Sequence, residues 1–370
     1  MPDSLFSPFT LRDTEFRNRV MLSPMCQYSA DDGFANDWHR VHLGSRAAGG
    51  AGVVMTEATA VEPRGRITPD CLGIWSDEHA EAIEPIVEFV GSQGATPGIQ
   101  LAHAGRKASH RPPAEGGDPI PTDRERGWET VSATDAPYPD PGAGEDELAA
   151  TSRLDGGGID EVIDAFAAAA ERSLDIGFEV AEVHAAHGYL LHEFLSPVTN
   201  DRDDDYGGSF EDRTRLLREV TTAVREVWPD DAPLFVRISA TDWLDDRDAW
   251  TVGDSVRLAD ELAPLGVDLI DVSAGGIHPD QSIPSTGPGY QERYARRIRQ
   301  ESETDIAVGA VGGITTAEQA DALIRNGRGD LAIVGREHLR DPYFALHAAK
   351  ELDRLDADGI EVPSQYDRAF

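Results

Sequence analysis

Residues 178–189 read Phe-Glu-Val-Ala-Glu-Val-His-Ala-Ala-His-Gly-Tyr, and this stretch shows most clearly the pattern from which the fold is predicted. Its apolar part, Phe178–His184, is typical of a strand buried within a sheet. The rest places two imidazoles and a phenol, from His184, His187 and Tyr189, at the end of that strand and in the turn after it. Polar side chains at the end of a buried strand indicate the catalytic face of an α/β protein.

The same pattern recurs along the whole chain. Short apolar runs predict eight strands, at Val20–Pro24, Gly52–Thr59, Thr96–Ala102, Phe178–His184, Leu234–Ser239, Val267–Ser273, Ile306–Val311 and Asp330–Gly335. Amphipathic segments predict a helix in each unit, near His39–Ala48, Asp77–Gln93, Ile159–Asp175, Phe210–Val227, Val252–Leu265, Tyr290–Glu301, Thr316–Asn326 and Glu337–Lys350. Eight such units predict a (β/α)₈ TIM barrel, as one domain over residues 1–370. The alternative, a doubly wound open sheet, would usually have a Gly-rich fingerprint after its first strand, where this chain has Ser23-Pro24-Met25-Cys26.

Two segments stand outside the repeat. Residues 108–153, called the insertion below, are rich in Pro, Gly, Asp and Glu and contain Trp128. They follow the third predicted strand, so in a barrel they lie on the catalytic face. We interpret the insertion as a partly ordered lid, with a disordered acidic loop as the alternative. Residues 354–370 form a C-terminal tail.

Composition limits the classes of function. The net charge is 33 − 68 = −35, which repels nucleic acid and anionic membranes. Because the excess is so large and only Lys107 and Lys350 are lysines, we favour adaptation to a salt-rich cytoplasm over an ordinary acidic surface. The cysteines, Cys26 and Cys71, imply no disulfide framework. Without a bilayer-length apolar run or a signal-like start at Met1–Ser4, we expect a cytoplasmic protein with no membrane partner.

The cluster of His184, His187 and Tyr189 suits the activation of a conjugated carbonyl. Two N–H donors can hold one oxygen, and a phenol, with a pKa of about 10, can deliver a proton at neutral pH. The alternatives are a zinc site that includes His192, structural histidines, and a tyrosine that belongs to the core.

Further strand ends carry polar or Gly-rich residues. Gln100 and Lys107 lie in and after the third strand, and Arg237 lies in the fifth. Gly309–Gly313 and Gly335-Arg336 follow the last two strands, where backbone N–H groups, helix N-termini and an arginine can bind phosphate.

In these motifs the chain resembles the Old Yellow Enzyme family of FMN-dependent ene-reductases, in the YqjM and xenobiotic-reductase branch. The motifs that carry the resemblance extend over nearly the whole chain and are Ser23–Tyr28, Gly65–Ile67, Leu72–Trp75, Gln100–Lys107, His184–Pro197, Tyr206–Ser209 and Val334–Arg336. The set in this order is specific, although each motif alone is not.

The resemblance implies a role for each matching residue. FMN would be bound by Pro24, Met25, Cys26, Ala58, Gln100, Arg237, Gly313, Gly335 and Arg336. His184 and His187 would bind the activating oxygen of the substrate, and Tyr189 would donate the proton. Tyr28 and Lys107 would shape the substrate pocket. Arg368 would reach a neighbouring subunit's pocket, although Ala369-Phe370 departs from the Gly-Trp ending of some relatives.

The resemblance also implies a reaction and its partners. NADPH or NADH would reduce FMN, which would then reduce a C=C bond conjugated to a carbonyl or nitro group, in a homo-oligomer that is a dimer or tetramer. The alternatives are a dienoyl-CoA-reductase-like flavoenzyme, which would carry an extra C-terminal module, a flavin-binding redox sensor and a metal-dependent barrel hydrolase.

Overall fold

The computed structural model describes residues 4–370, so the expectation about a signal-like start at Met1–Asp3 lies outside the described residues. Within the described range the strands are β1 (Phe9–Leu11), β2 (Thr14–Phe16), β3 (Val20–Leu22), β4 (Val53–Ala60), β5 (Thr96–Ala102), β6 (Thr130–Ser132), β7 (Thr151–Arg153), β8 (Val180–Ala185), β9 (Leu234–Ser239), β10 (Leu269–Ser273), β11 (Ala307–Val311) and β12 (Leu331–Val334). The α-helices are α1 (Asp37–Ala48), α2 (Asp77–Ser92), α3 (Gly156–Asp175), α4 (Leu190–Leu195), α5 (Phe210–Val227), α6 (Val252–Leu262), α7 (Glu292–Glu301), α8 (Ala317–Arg325), α9 (Arg336–Arg340) and α10 (Phe344–Glu351).

Eight of these strands close into a parallel barrel. Their order is β3-β4-β5-β8-β9-β10-β11-β12, and β12 pairs with β3 to complete the ring. The prediction of a (β/α)₈ TIM barrel is therefore confirmed, and the bounds predicted for β5, β9 and α5 match those observed. Because all eight strands run in parallel, their C-terminal ends meet at one mouth.

The inside of the barrel is apolar toward its N-terminal end. Its buried side chains are Phe16, Met21, Val53, Met55, Val180, Phe235, Leu269, Ala307, Leu331 and Ile333. Phe16 comes from the β1–β2 hairpin and meets Phe235 edge-on, with ring centroids 6.2 Å apart. Each such ring contributes about 1.5–3 kcal/mol by burial. The hairpin thus closes the N-terminal end of the barrel, and the polar side chains lie toward the opposite, C-terminal end.

The last predicted helix, Glu337–Lys350, is in fact two helices. The first, α9, ends at Arg340, and α10 begins at Phe344. Between them Asp341 has an extended backbone, with φ −128° and ψ 95°, because the ring of Pro342 disfavours a helical residue before it. The break leaves α9 as a single short turn directly after β12, at the mouth.

The insertion is structured around a small parallel sheet, in which β6 pairs with β7. Ser132 in β6 donates a hydrogen bond of 2.6 Å to Glu193 on α4, and the Trp128 indole donates one of 3.0 Å to the carbonyl of Arg64. The insertion is therefore attached both to the loop after β4 and to the helix after β8. Across residues 4–370, no helix is long and apolar enough to cross a membrane.

Candidate active site

The two histidines of the opening stretch meet at the end of β8. His187 Nδ1 lies 3.3 Å from His184 Nε2, and His187 Nε2 lies 2.7 Å from the Ser273 hydroxyl at the end of β10. The Ala186 N–H donates to His184 Nδ1 at 3.2 Å, which leaves Nε2 as the protonated nitrogen of His184. Burial, and then the charge of Arg237, lowers the pKa of both imidazoles well below the ordinary value. Both rings are therefore neutral near pH 7.

The turn that holds His187 is unusually tight. His187 has φ +60° and Gly188 has φ +74°. A Cβ on Gly188 would lie 2.2 Å from the carbonyl oxygen of Gly276, and one on Gly276 would lie 2.5 Å from His187 backbone atoms. Glycine at both positions therefore lets the loop after β10 pack directly against the histidine turn.

Tyr189 lies beside both imidazoles. Its ring meets those of His184 and His187 edge-on, at centroid distances of 5.1 and 6.5 Å. Burial raises the pKa of Tyr189 well above 10, so its phenol stays protonated at neutral pH. The structure thus brings together the three residues predicted to be catalytic.

Lys107 contacts the backbone of the histidine turn and the ring of Tyr189. Its ammonium group donates to the carbonyls of His187 and Gly276, at 2.8 and 2.9 Å, and lies 5.2 Å from the centre of the Tyr189 ring. Burial lowers the pKa of Lys107 from 10.5 to about 8. Lys107 therefore clamps two loops together and brings a positive charge near the phenol.

Tyr138, from the insertion, was not predicted as a site residue. The Lys107 ammonium lies 5.0 Å from the centre of its ring, which places the charge between Tyr138 and Tyr189. The loop composition around Tyr138 offers no strand-end signal that would have identified it. Ser273, by contrast, ends a predicted strand, and the same rule that selected Arg237 would have found it.

Tyr28, Cys26 and Ala58 lie together near the ends of β3 and β4. A hydrogen bond with the Cys71 thiol, followed by burial, raises the pKa of Cys26 well above 9, while the Ala58 N–H bonds the sulfur. Burial also raises the pKa of Tyr28. Cys26 is thus a neutral thiol, and neither Cys26 nor Cys71 forms a disulfide within residues 4–370.

Charged and amide side chains fill the barrel axis below the histidines. Gln100 Nε2 donates to Glu182 at 2.7 Å, and Arg237 lies 3.4 Å from Asp271 and 3.2 Å from the Ser23 hydroxyl. Burial, and then the charge of Asp271, raises the pKa of Glu182 well above its usual range. Neither Glu182 nor Asp271 was predicted as a site residue, because an acidic residue within an apolar strand has no distinguishing motif.

The predicted phosphate-binding residues line one cavity. It has a volume of about 400 Å³ and extends from Met25, Arg237 and Ser273 to Gly313, Gly335 and Arg336. Gly313 has φ +67°, and a Cβ there would lie 2.7 Å from the carbonyl oxygen of Gly287. A Cβ on Gly335 would meet nothing closer than 3.8 Å, so the backbone at the end of β12 is open to a ligand. Arg336, at the first position of α9, is exposed.

This cavity suits FMN. Its volume lies in the range of ligand sites, about 300–1,000 Å³. Arg237 Nε is buried without a hydrogen-bond partner among the residues described, at the end where a flavin ring would lie. At the other end, glycine turns and an exposed guanidinium suit a phosphate. The neutral Gln100 amide lies beside the same axis and offers donor and acceptor groups to a pyrimidine edge.

Two predicted residues lie apart from these contacts. Pro24 is partly buried in the segment after β3. Arg368 is exposed on a tail that packs on α10, where Phe370 stacks on His347 at 5.7 Å and Lys350 donates to the carbonyl of Ala369. The structure of the single chain does not bring Arg368 to the histidines.

The alternative of a zinc site that includes His192 does not match the geometry. The Gly188 N–H donates to His192 Nδ1 at 2.9 Å, and His192 Nε2 lies 3.0 Å from Asp242. Both of its nitrogens are thus directed away from His184 and His187. In the part of the chain that the structure describes, no group of three His, Cys, Asp or Glu side chains is arranged to hold a metal ion.

Known proteins resemble the chain in sequence and in fold. The profile of the "NADH:flavin oxidoreductase / NADH oxidase family" matches residues 4–354. An "NADPH dehydrogenase" of Bacillus subtilis (strain 168) is 43% identical over 373 residues, covering 100% of both chains. Morphinone reductase superposes with a TM-score of 0.77 at 25% identity, over 94% of this chain and 90% of its own. A 2-naphthoyl-CoA reductase superposes at 0.82 with 24% identity, a likeness of fold alone, and this chain spans only 52% of its length.

Proposed function

This chain belongs to the NADH:flavin oxidoreductase / NADH oxidase family, and we propose that it reduces C=C bonds conjugated to a carbonyl or nitro group. It is an oxidoreductase that uses FMN as cofactor and NADPH or NADH as reductant. When bound, FMN carries two electrons from the reductant to the substrate. The observation that carries the proposal is the convergence of two neutral imidazoles and a protonated phenol beside the FMN cavity.

His184 and His187 bind the activating oxygen of the alkene. That oxygen binds between the two imidazoles, whose facing nitrogens are 3.3 Å apart, and accepts hydrogen bonds from His184 Nε2 and His187 Nδ1. Negative charge grows on this oxygen as the double bond is reduced, and two fixed N–H donors stabilise it without reorganisation.

For His187 to donate from Nδ1, its Nε2 must accept. Ser273 meets this requirement, because its hydroxyl lies 2.7 Å from His187 Nε2 and accepts from Gln291 at 3.3 Å, which leaves its own proton for the imidazole. In the observed geometry the protonated His184 Nε2 donates to His187 Nδ1, so His187 takes its other tautomer when the substrate oxygen binds, and Ser273 is the positioning residue that then donates to His187 Nε2.

Tyr189 donates the proton to the α-carbon. Its raised pKa keeps the proton on the phenol until reduction, and the Lys107 ammonium 5.2 Å from the ring favours the phenolate that forms. The insertion, held to α4 through Ser132 and Glu193, covers this end of the cleft as a lid and excludes water.

Two features extend the proposal to the assembled protein. The exposed Arg368, on a tail anchored by Phe370 and Lys350, enters the substrate pocket of a neighbouring subunit in a homo-oligomer. The net charge of −35 fits a cytoplasm rich in salt, where counter-ions screen the repulsion between carboxylates.

The visible absorption spectrum of protein purified in high salt tests the proposal, before and after anaerobic NADPH and then cyclohexenone. We expect a flavin spectrum that bleaches with NADPH and returns with the enone. Bleaching that only oxygen reverses would contradict alkene reduction and favour a redox sensor. A colourless protein that does not bind added FMN would contradict the placement of the cofactor in this cavity.

A further inference from the structure

A second cavity adjoins the phosphate end of the first. It has a volume of about 400 Å³ and shares Pro288 and Tyr290 with the FMN cavity. Its charged lining consists of Glu292, Arg293, Arg296 and Arg328. Three guanidinium groups against one carboxylate leave a surplus of two positive charges, on a chain whose net charge is −35.

Within residues 4–370, two of these arginines have no carboxylate partner. Arg293 donates to the Tyr294 hydroxyl at 2.5 Å and Arg296 to the Gln300 amide at 3.3 Å, and neither pairs with a carboxylate within residues 4–370. On the same helix, α7, Arg297 pairs with Glu301 and Arg299 pairs with Asp330. Unpaired arginines are therefore confined to the side of α7 that faces the cavity.

The cavity is connected to the catalytic cluster by one loop. The strand β10 ends at Ser273, which contacts His187. The loop after it passes Gly276 at the histidine turn and then lines the second cavity with Pro284, Ser285 and residues 287–290. Gly287 in that loop packs against Gly313, at the phosphate end of the FMN cavity. A nucleotide that extended from the FMN cavity along this loop would meet these arginines in the adjoining cavity.

We propose that this second cavity binds the 2′-phosphate of NADPH and gives the enzyme a preference for NADPH over NADH. The planar guanidinium forks of Arg293 and Arg296 match phosphate oxygens, and Arg328, already paired with Glu292 at 2.7 Å, adds charge at the edge. NADH lacks this phosphate, so the guanidinium groups of Arg293 and Arg296 would stay hydrated when NADH binds. The inference rests on the proposed function only in requiring that a nicotinamide nucleotide reaches the cleft.

The test is the double substitution Arg293→Gln and Arg296→Gln in the FMN-loaded protein. Isothermal titration with 2′-phospho-AMP and with AMP measures the phosphate site without turnover, and stopped-flow reduction of FMN by NADPH and by NADH measures its effect on the reductant. We expect the Kd values for 2′-phospho-AMP and NADPH to rise about tenfold, equivalent to about 1.4 kcal/mol, with those for AMP and NADH unchanged. The matched control is Arg297→Gln, on the same helix but paired with Glu301 outside the cavity.

The outcomes separate this site from the proposed function. Equal weakening of NADPH and NADH, or no change in either, would overturn the 2′-phosphate site. So would an unmodified protein that binds 2′-phospho-AMP no better than AMP. A selective loss of NADPH in a protein that fails to reduce cyclohexenone would leave the site standing and would refute alkene reduction alone.

Discussion

The two ends of the cleft differ in how they stabilise negative charge. At the histidine end, burial keeps His184, His187 and Tyr189 neutral, and hydrogen bonds fix their orientation. At the phosphate end, the Arg336 side chain is exposed beside open glycine turns. At the first end the negative charge on the substrate oxygen develops only during the reaction, so prepositioned N–H donors stabilise it, whereas a phosphate carries its charge permanently and needs a counter-ion.

Tyr189→Phe should produce the largest effect and confine it to the histidine end. We expect alkene-driven reoxidation to slow by about 10²–10⁴-fold, the usual contribution of a general acid, while reduction of FMN by NADPH is unchanged. Stopped-flow measurement of the two half-reactions checks this. Equal slowing of both would show that Tyr189 supports the cleft rather than delivering a proton.

Arg336→Gln should affect the other end, with a smaller magnitude. Loss of one exposed guanidinium contact to the phosphate should weaken FMN binding about tenfold, because solvent screens part of the charge. Fluorescence titration of FMN into apoprotein measures it, and Arg325→Gln, an exposed arginine paired with Asp321, is the matched control. The same weakening in both variants would point to a loss of general surface charge.

The pH dependence of alkene-driven reoxidation should be the smallest effect, and it should again distinguish the two ends of the cleft. Burial lowers the pKa of Lys107 to about 8, so its positive charge beside Tyr189 is present at pH 7 and lost as the pH rises through 8. We expect alkene-driven reoxidation to fall a fewfold over that range, with FMN affinity unchanged. Because the folded pKa lies below 10.5, the unfolded chain binds more protons between these values, so this group makes the fold more stable as the pH rises. A decline that persists unchanged in Lys107→Met would refute the assignment.

Whether a site residue could be predicted from the sequence depends on whether it belongs to a local sequence pattern. The strand-end rule placed His184, Arg237 and Arg336 at one mouth, since parallel strands of a barrel must end together. The strand-end rule could not predict Tyr138, because only the packing of the insertion brings that ring close to Lys107. Arg293 and Arg296 were also missed, since on a helix rich in arginine the sequence does not show which side chains find a carboxylate.

The barrel, its eight units and the residue types at the strand ends could be predicted from the sequence, because apolar periodicity and local residue types are properties of short segments. The protonation states of those side chains depend on how the chain folds. The same imidazoles, phenol and lysine would have ordinary pKa values in an unfolded chain; burial shifts the pKa of all four, and the charge of Arg237 adds to the shift of the two imidazoles. The tertiary structure also decided which arginines lack partners, since pairing with a distant carboxylate depends on distances that only the folded chain fixes.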